Sequence, residues 1–178
     1  AYSATAPYNC PKSARILADA AKVISNMSFS LGEPGNAVLG LAKMAAGITN
    51  SSVRTYALGV CPTNGQHTLS GYTSCDTWGW GYRNVFLSEY YLFTGDSSVT
   101  TGVRELTVGI AKGQSMYGTF GHGGAERHAD GSMHGSIPWY GPVNSAGLVA
   151  NLGIVLGKKA GAVHAEIDPA INRATKFF

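Results

Sequence analysis

Apolar residues recur along this chain at intervals of three and four, and the stretches between these runs are filled with glycine, proline, serine and asparagine. That pattern predicts helices joined by loops. After Pro11, which suits a first helical turn, the positions Ile16, Ala20, Val23 or Ile24, and Met27 line one face of a first helix. A break at Leu31-Gly32-Glu33-Pro34-Gly35 precedes a second helix from about Asn36 to Ala46, carrying Val38, Leu39, Leu41 and Met44, and the two form a hairpin. From Thr49 to Thr77 periodicity is lost and the chain reads as loop, apart from a short helical turn around Val53 to Leu58.

A third helix begins near Trp80, buries Phe86, Leu87, Tyr90, Tyr91 and Phe93, and ends at Thr94-Gly95-Asp96, where Gly95 supplies the residue after the cap. Ser97 or Ser98 caps a fourth, whose stripe Val99, Val103, Leu106 and Ile110 is the cleanest in the chain and stops at Gly113. A fifth, from about Pro142 to Gly157, is apolar on nearly all sides and is expected to be buried. The sixth opens at Asp168-Pro169 and carries Ile171, Ala174 and Phe177 or Phe178.

The expected fold class is therefore all-α, with about three helical hairpins in a single domain over residues 1–178 and long irregular loops at about 49–77 and 114–141. In the later pairs the first helix is the more apolar or aromatic and the second the more amphipathic. This is the alternation of an α/α toroid, where inner helices line a cavity, outer helices face solvent and the loops of one rim build the site. Three hairpins make a partial barrel with open apolar ends, so further copies or the remainder of a longer chain are expected to cover them.

Composition narrows the setting. With 178 residues, 44% of them hydrophobic, the chain is long enough for one real core. Only 13% of residues are charged, against about 25% in a typical soluble domain, which favours an extracytoplasmic or secreted location. The net charge of +3 comes from scattered Lys and Arg with no run able to track a phosphate backbone, so nucleic acid is not an expected partner. No apolar stretch reaches the roughly 20 residues of a membrane span. Cys61 and Cys75 flank a Gly/Thr/Ser-rich loop of a length open to a local disulfide, and reduced thiols are an equal reading; Cys10 has no obvious partner.

Four segments, WGWGYRNVFLSEYYLFTGD from Trp78, GQSMYGTFGHGG around Gln114, GSIPWYGPVNSAGLVANLGIVLGKKAG from Gly135 and IDPAINRATKFF from Ile167, resemble bacterial toroid proteins known only as a domain of unknown function. The resemblance runs from Tyr8 to Phe178. It implies an architecture distantly similar to terpenoid cyclases and protein prenyltransferases, and it lends no chemistry. Members of that family are generally longer, which agrees with the open ends expected above.

Candidate chemistry gathers in two places. Trp78, Trp80 and Tyr82 alternate with glycines at the entrance to the third helix, and with Trp139 they form an aromatic rim suited to stacking on sugars. The same tryptophans could instead plug helix ends. Arg83 could grip a carboxylate in bidentate fashion, or with Asn84 fasten one hairpin to the next. The second place is the loop Tyr117–Asn144. A connection that long is characteristic of a binding or catalytic loop or of disorder, and its Trp139 and Tyr140 argue against disorder. His122, His134 and Tyr140 with Asn144 and Arg83 supply the residue types an acidic-polysaccharide lyase uses: a His/Tyr pair for proton transfer, Asn and Arg to neutralise a uronate.

His122, His128 and His134, with Glu126 or Asp130, are not spaced as a metal motif, and neither a metal site nor a cofactor is expected. Glu89, on the buried helix, is expected to pair with Arg104 or a backbone group. The leading expectation is binding of a polysaccharide or protein at the aromatic and histidine-rich rim. The alternatives are a lyase-like or hydrolytic enzyme acting on polysaccharide, and a structural protomer of a ring or filament.

Overall fold

The computed structural model of the chain describes residues 11–62, 76–128, 130, 132–138 and 141–177. Among them every regular element is helical: α1 (Pro11–Asn26), α2 (Gly35–Ala45), α3 (Ser51–Val60), α4 (Asp76–Thr94), a single 3-10 turn (Ser97–Val99), α5 (Thr100–Gly113), α6 (Asn144–Lys159) and α7 (Ile167–Phe177). None is long and apolar enough to cross a membrane.

In the stretch read as loop, the short helical turn expected around Val53 to Leu58 extends to a full helix, α3. Asn50 starts it by accepting a hydrogen bond from the Val53 backbone N–H, and it buries only Val53 and Ala57, one turn apart. The first helix keeps only part of its expected face, Ala20 and Ile24, towards α2. Ile16 and Val23 are more than 60% exposed, and the residues that approach α2 are Leu17, Ala20, Ala21 and Ile24.

Helix α4 is central. It packs most extensively on α6 and also touches α2, α3 and α5; α3 reaches α2 as well, α5 reaches α6, and α7 rests on α5 and α6. Small residues allow the closest approaches. A Cβ on Gly81 would sit 2.9 to 3.1 Å from Val149 and Ala150 of α6, and one on Gly40 of α2 would meet the Phe86 ring at 2.5 Å. Asn84 bridges the layers, donating to Thr107 Oγ1 of α5 at 3.1 Å and to the Gly153 carbonyl of α6 at 2.8 Å. Of the two neighbours considered for fastening, it is Asn84 that binds α4 to α5 and α6.

Two apolar clusters fill the interior. One joins α2, α3, α4 and the start of α5 around Phe86, Leu87, Val103 and Leu106; the other joins α5, α6 and α7 around Ile110, Phe120, Ile154 and Ile167. Full burial of α6 is not what the structure shows, because Leu148, Leu152 and Val155 stand about half exposed on one side. Nor does Glu89 pair with Arg104, whose partner is its neighbour Glu105 at 3.7 Å. Lys43 is 1% exposed, and its ammonium donates to the Ile24 and Ser25 carbonyls at the end of α1. That cation satisfies carbonyls a helix terminus leaves unpaired, and it fastens α1 to α2.

Candidate functional site

The first turns of α4 carry the site. Asp76 stands in the first turn, where a carboxylate complements the helix dipole, and the Thr77 backbone N–H donates to the His122 carbonyl at 3.1 Å. Helical spacing then distributes the motif. Gly81, Asn84 and Ser88 turn inward and are buried, whereas Asp76, Gly79, Trp80 and Arg83 share a face with Trp78 at its edge. That face and the Glu33-Pro34 turn ahead of α2 enclose a cleft of about 310 Å³.

Glu33 dominates its floor. One carboxylate oxygen accepts the Tyr56 phenol of α3 and lies 3.7 Å from Arg83 Nε; the other oxygen, and Arg83 Nε itself, are buried without a hydrogen-bond partner. At 3.7 Å the pair attracts by charge but is too long for a hydrogen bond. Burial, and then the bond to Glu33, push the Tyr56 phenol well above its usual range, so the hydroxyl keeps its proton to donate. Phe29 stacks on the Tyr56 ring at 4.4 Å between centroids and holds it in place.

Of the sequence-predicted residues, Trp78, Trp80 and Arg83 meet in this cleft. His122 lies at its edge, its ring packed edge-on against Trp78 with centroids 5.0 Å apart. Tyr82 points elsewhere and lines an apolar crevice with Ile24, Met27 and Leu39. Asn144 is the exposed first residue of α6. Trp139, Tyr140 and Cys75 lie outside the described residues, and the Cys61 thiol is free, packed against Gly102 of α5.

His134 belongs to a different assembly. Its Nδ1 lies 2.6 Å from the Gln114 carbonyl oxygen and its Nε2 2.9 Å from Glu166 Oε2 ahead of α7, while Arg173 of α7 approaches the ring edge at 3.2 Å. Arg173 Nε also donates to Gln114 Oε1, and the fully buried Gln114 amide donates to Asn151 of α6 and to the Ala170 carbonyl of α7. Burial pulls the Arg173 pKa down and Glu166 opposes that shift. The network clamps the long loop to α6 and α7. The loop is ordered by further backbone bonds, Ala125 N–H to Gly113 and Val143 N–H to Phe120 among them. Gln114, Glu166 and Arg173 escaped the sequence reading because lone polar residues far apart in sequence announce no meeting.

Glu33 was missed for the same reason, although its place in a Gly-Glu-Pro-Gly turn is the one local signal that it ends beside a helix. Among the described residues no three His, Cys, Asp or Glu side chains gather to hold a metal ion. The cleft therefore offers two indole faces, the carboxylates of Glu33 and Asp76 and one guanidinium: donors and acceptors for hydroxyl groups beside flat apolar walls.

No curated protein and no solved structure matches the chain in sequence or fold. A family profile does match, across residues 13–178, and the chain belongs to that family, described as a domain of unknown function (DUF6288).

Proposed function

We propose that this chain is part of an α/α toroid that binds a glycan in the cleft of Glu33, Asp76, Trp78, Trp80 and Arg83, and that it works outside the cytoplasm. The observation that carries the glycan reading is the convergence of two tryptophans, two carboxylates and an arginine on one cleft. Indole faces stack on the C–H faces of sugars, and carboxylate and guanidinium groups pair with hydroxyls. Support for the toroid comes from the contact order: α2, α4 and α6 touch in sequence, and α3, α5 and α7 each rest on them. In this reading the three hairpins are α2/α3, α4/α5 and α6/α7, so that α2 pairs with α3 and not, as read from the sequence, with α1. The test is a titration of neutral and uronate-bearing oligosaccharides against the parent protein, Trp78→Ala and Arg83→Gln, with circular dichroism to verify folding. Saturable binding that both substitutions weaken at least tenfold supports the proposal; no binding, or binding indifferent to both, overturns it.

A second reading is hydrolysis at the same place, favoured by the presence of two carboxylates on one cleft, the pair a glycoside hydrolase needs for acid and base or nucleophile. It takes precedence over the lyase constellation because His134 makes its hydrogen bonds to Gln114, Glu166 and Arg173. Glu33→Gln and Asp76→Asn must each abolish release of reducing ends from a bound glycan; turnover surviving in either removes this reading.

A further inference from the structure

A second groove, of about 590 Å³, crosses α2, α4 and α6 away from the aromatic cleft. Its walls are apolar: Leu41 and Met44 from α2, Phe93 from α4, Leu152 and Leu156 from α6. Phe93 is 62% exposed and Leu152 49%, so large apolar side chains stand in contact with water along one continuous strip. Within this strip stands Glu89, half-buried and one turn before Phe93 on the same face of α4. Among the described residues it is the only charged side chain on the groove walls, and it has neither an ion pair nor a hydrogen bond.

A carboxylate placed among leucines and a phenylalanine loses part of its hydration and gains nothing in exchange from the protein. Core helices place glutamate there at a cost, and that cost is offset once a cation enters. We propose that this groove is a binding site for an organic cation with an apolar body, an alkyl or aryl ammonium or amidinium, whose charge is met by Glu89 and whose hydrocarbon lies on Leu41, Met44, Leu152 and Leu156. Three observations fix this chemistry. The volume falls within the range of small-ligand sites. The polar contribution is one anionic group and no donor, which selects a positive charge and disfavours an anion or a neutral hydrogen-bond acceptor. Phe93, one helical turn after Glu89, brings an aromatic ring of the kind whose face attracts cations, and the Met44 thioether adapts to irregular apolar shapes. The site is separate from the proposed glycan cleft and shares no lining residue with it.

The test uses the chain as it is, titrated calorimetrically with decyltrimethylammonium and, in parallel, decyl sulfate, both below their micelle concentrations. The ammonium is expected to bind at one site. Glu89→Gln should weaken the ammonium at least tenfold and leave decyl sulfate equal or tighter, while Leu152→Ala weakens both. Equal affinity of the parent for the two amphiphiles overturns the proposal, as does ammonium affinity unchanged within twofold in Glu89→Gln. Sedimentation of the parent adds an independent check: a dimer dissolved by Leu152→Glu would mean that a second copy covers this face, and would also overturn it. Trp78→Ala, which tests the glycan cleft, should leave ammonium binding intact, so failure of one site is distinguishable from failure of the other.

Discussion

Tyr56 of α3 gives its phenol hydrogen to Glu33 at 2.5 Å, and through this one bond a helix that the sequence marked only as a short turn sets the position of the carboxylate at the base of the cleft. Glu33 in turn holds Arg83 of α4 by charge. Three segments of the chain thus meet on one side chain, and the cleft depends on all of them.

Tyr56→Phe isolates that bond, because the ring and its stacking on Phe29 are retained. A hydrogen bond to a charged acceptor contributes about 1.5 to 3 kcal/mol, and with Glu33 still partly solvated the loss expected in urea unfolding is about 2 kcal/mol. The pH dependence has a defined sign. The unfolded phenol ionises near its usual 10.0, whereas the folded one holds its proton far above that. The contribution of Tyr56 is therefore full below pH 10 and declines as pH rises beyond it, and Tyr56→Phe should flatten this alkaline decline. Equal alkaline slopes in the two proteins would show that the burial of Tyr56 is relieved in solution.

His134 is the only described residue other than glycine with a left-handed backbone, at φ 67°. A side chain is tolerated there at a cost of about 1 kcal/mol or more, and the bonds to Gln114 and Glu166 hold it there. His134→Ala loses the bonds and keeps the strain; His134→Gly loses the bonds and relieves it. Both should unfold earlier than the parent, Ala by about 3 kcal/mol and Gly by about 2. Hydrogen exchange at Glu126, His128 and Gly135, whose amides bond within the loop, should accelerate in both. If Gly equals the parent, the imidazole bonds contribute nothing net and the clamp rests on Gln114 alone.

Six helices were legible because each repeats apolar residues at helical spacing over about two turns or more. α3 was legible only as a short turn around Val53 to Leu58, since Val53 and Ala57 make one contact turn and its capping Asn50 lies in a stretch rich in other turn formers. On α1 the stripe held at Ala20 and Ile24, which face α2, and failed at Ile16 and Val23, which stay exposed. At the site the tryptophans and Arg83 were readable from a local motif. Glu33 was not, because its value lies in a meeting with α3 and α4 that only tertiary packing creates. The same holds for Gln114, Glu166 and Arg173.

Acid should expose a second linkage. Asp96, which caps the 3-10 turn before α5, accepts hydrogen bonds from the Ser98 hydroxyl and backbone N–H, then from Tyr90, and lies 2.9 Å from Arg54 Nε. These contacts, those from Ser98 first, lower its pKa from 3.8 to about 2. A depressed carboxylate stabilises the fold above its unfolded pKa, and that stabilisation fades as pH falls from 3.8 towards 2. Asp96→Asn keeps a competent cap and removes the titration. Its urea midpoint should sit below the parent's at neutral pH and converge with it by about pH 2. Parallel curves across that window would place the acid sensitivity in other carboxylates.

The tightest helix contact predicts the largest single loss. A Cβ on Gly157 of α6 would stand 1.9 Å from Thr107 Oγ1 of α5, and Thr107 cannot swing aside freely because its hydroxyl donates to the Val103 carbonyl at 2.7 Å and accepts from Asn84. Gly157→Ala must therefore push α6 away from α5 or break the buried Asn84 bridge, at a cost of about 3 kcal/mol or more. That cost opposes the general gain in helix propensity on replacing glycine, about 1 kcal/mol, so the sign of the effect is decided by packing. Thr107→Ala alone should cost about 1 to 2 kcal/mol by removing one partner of Asn84, which still donates to Gly153. Combining the two should cost less than their sum by more than about 1 kcal/mol, because the 1.9 Å contact goes with the hydroxyl and only the milder 2.9 Å approach to the residue 107 Cβ remains. Additive losses in thermal and urea unfolding would mean that α6 already stands off from α5 in solution, and that the Asn84 bridge to Gly153, not helix contact, sets their spacing.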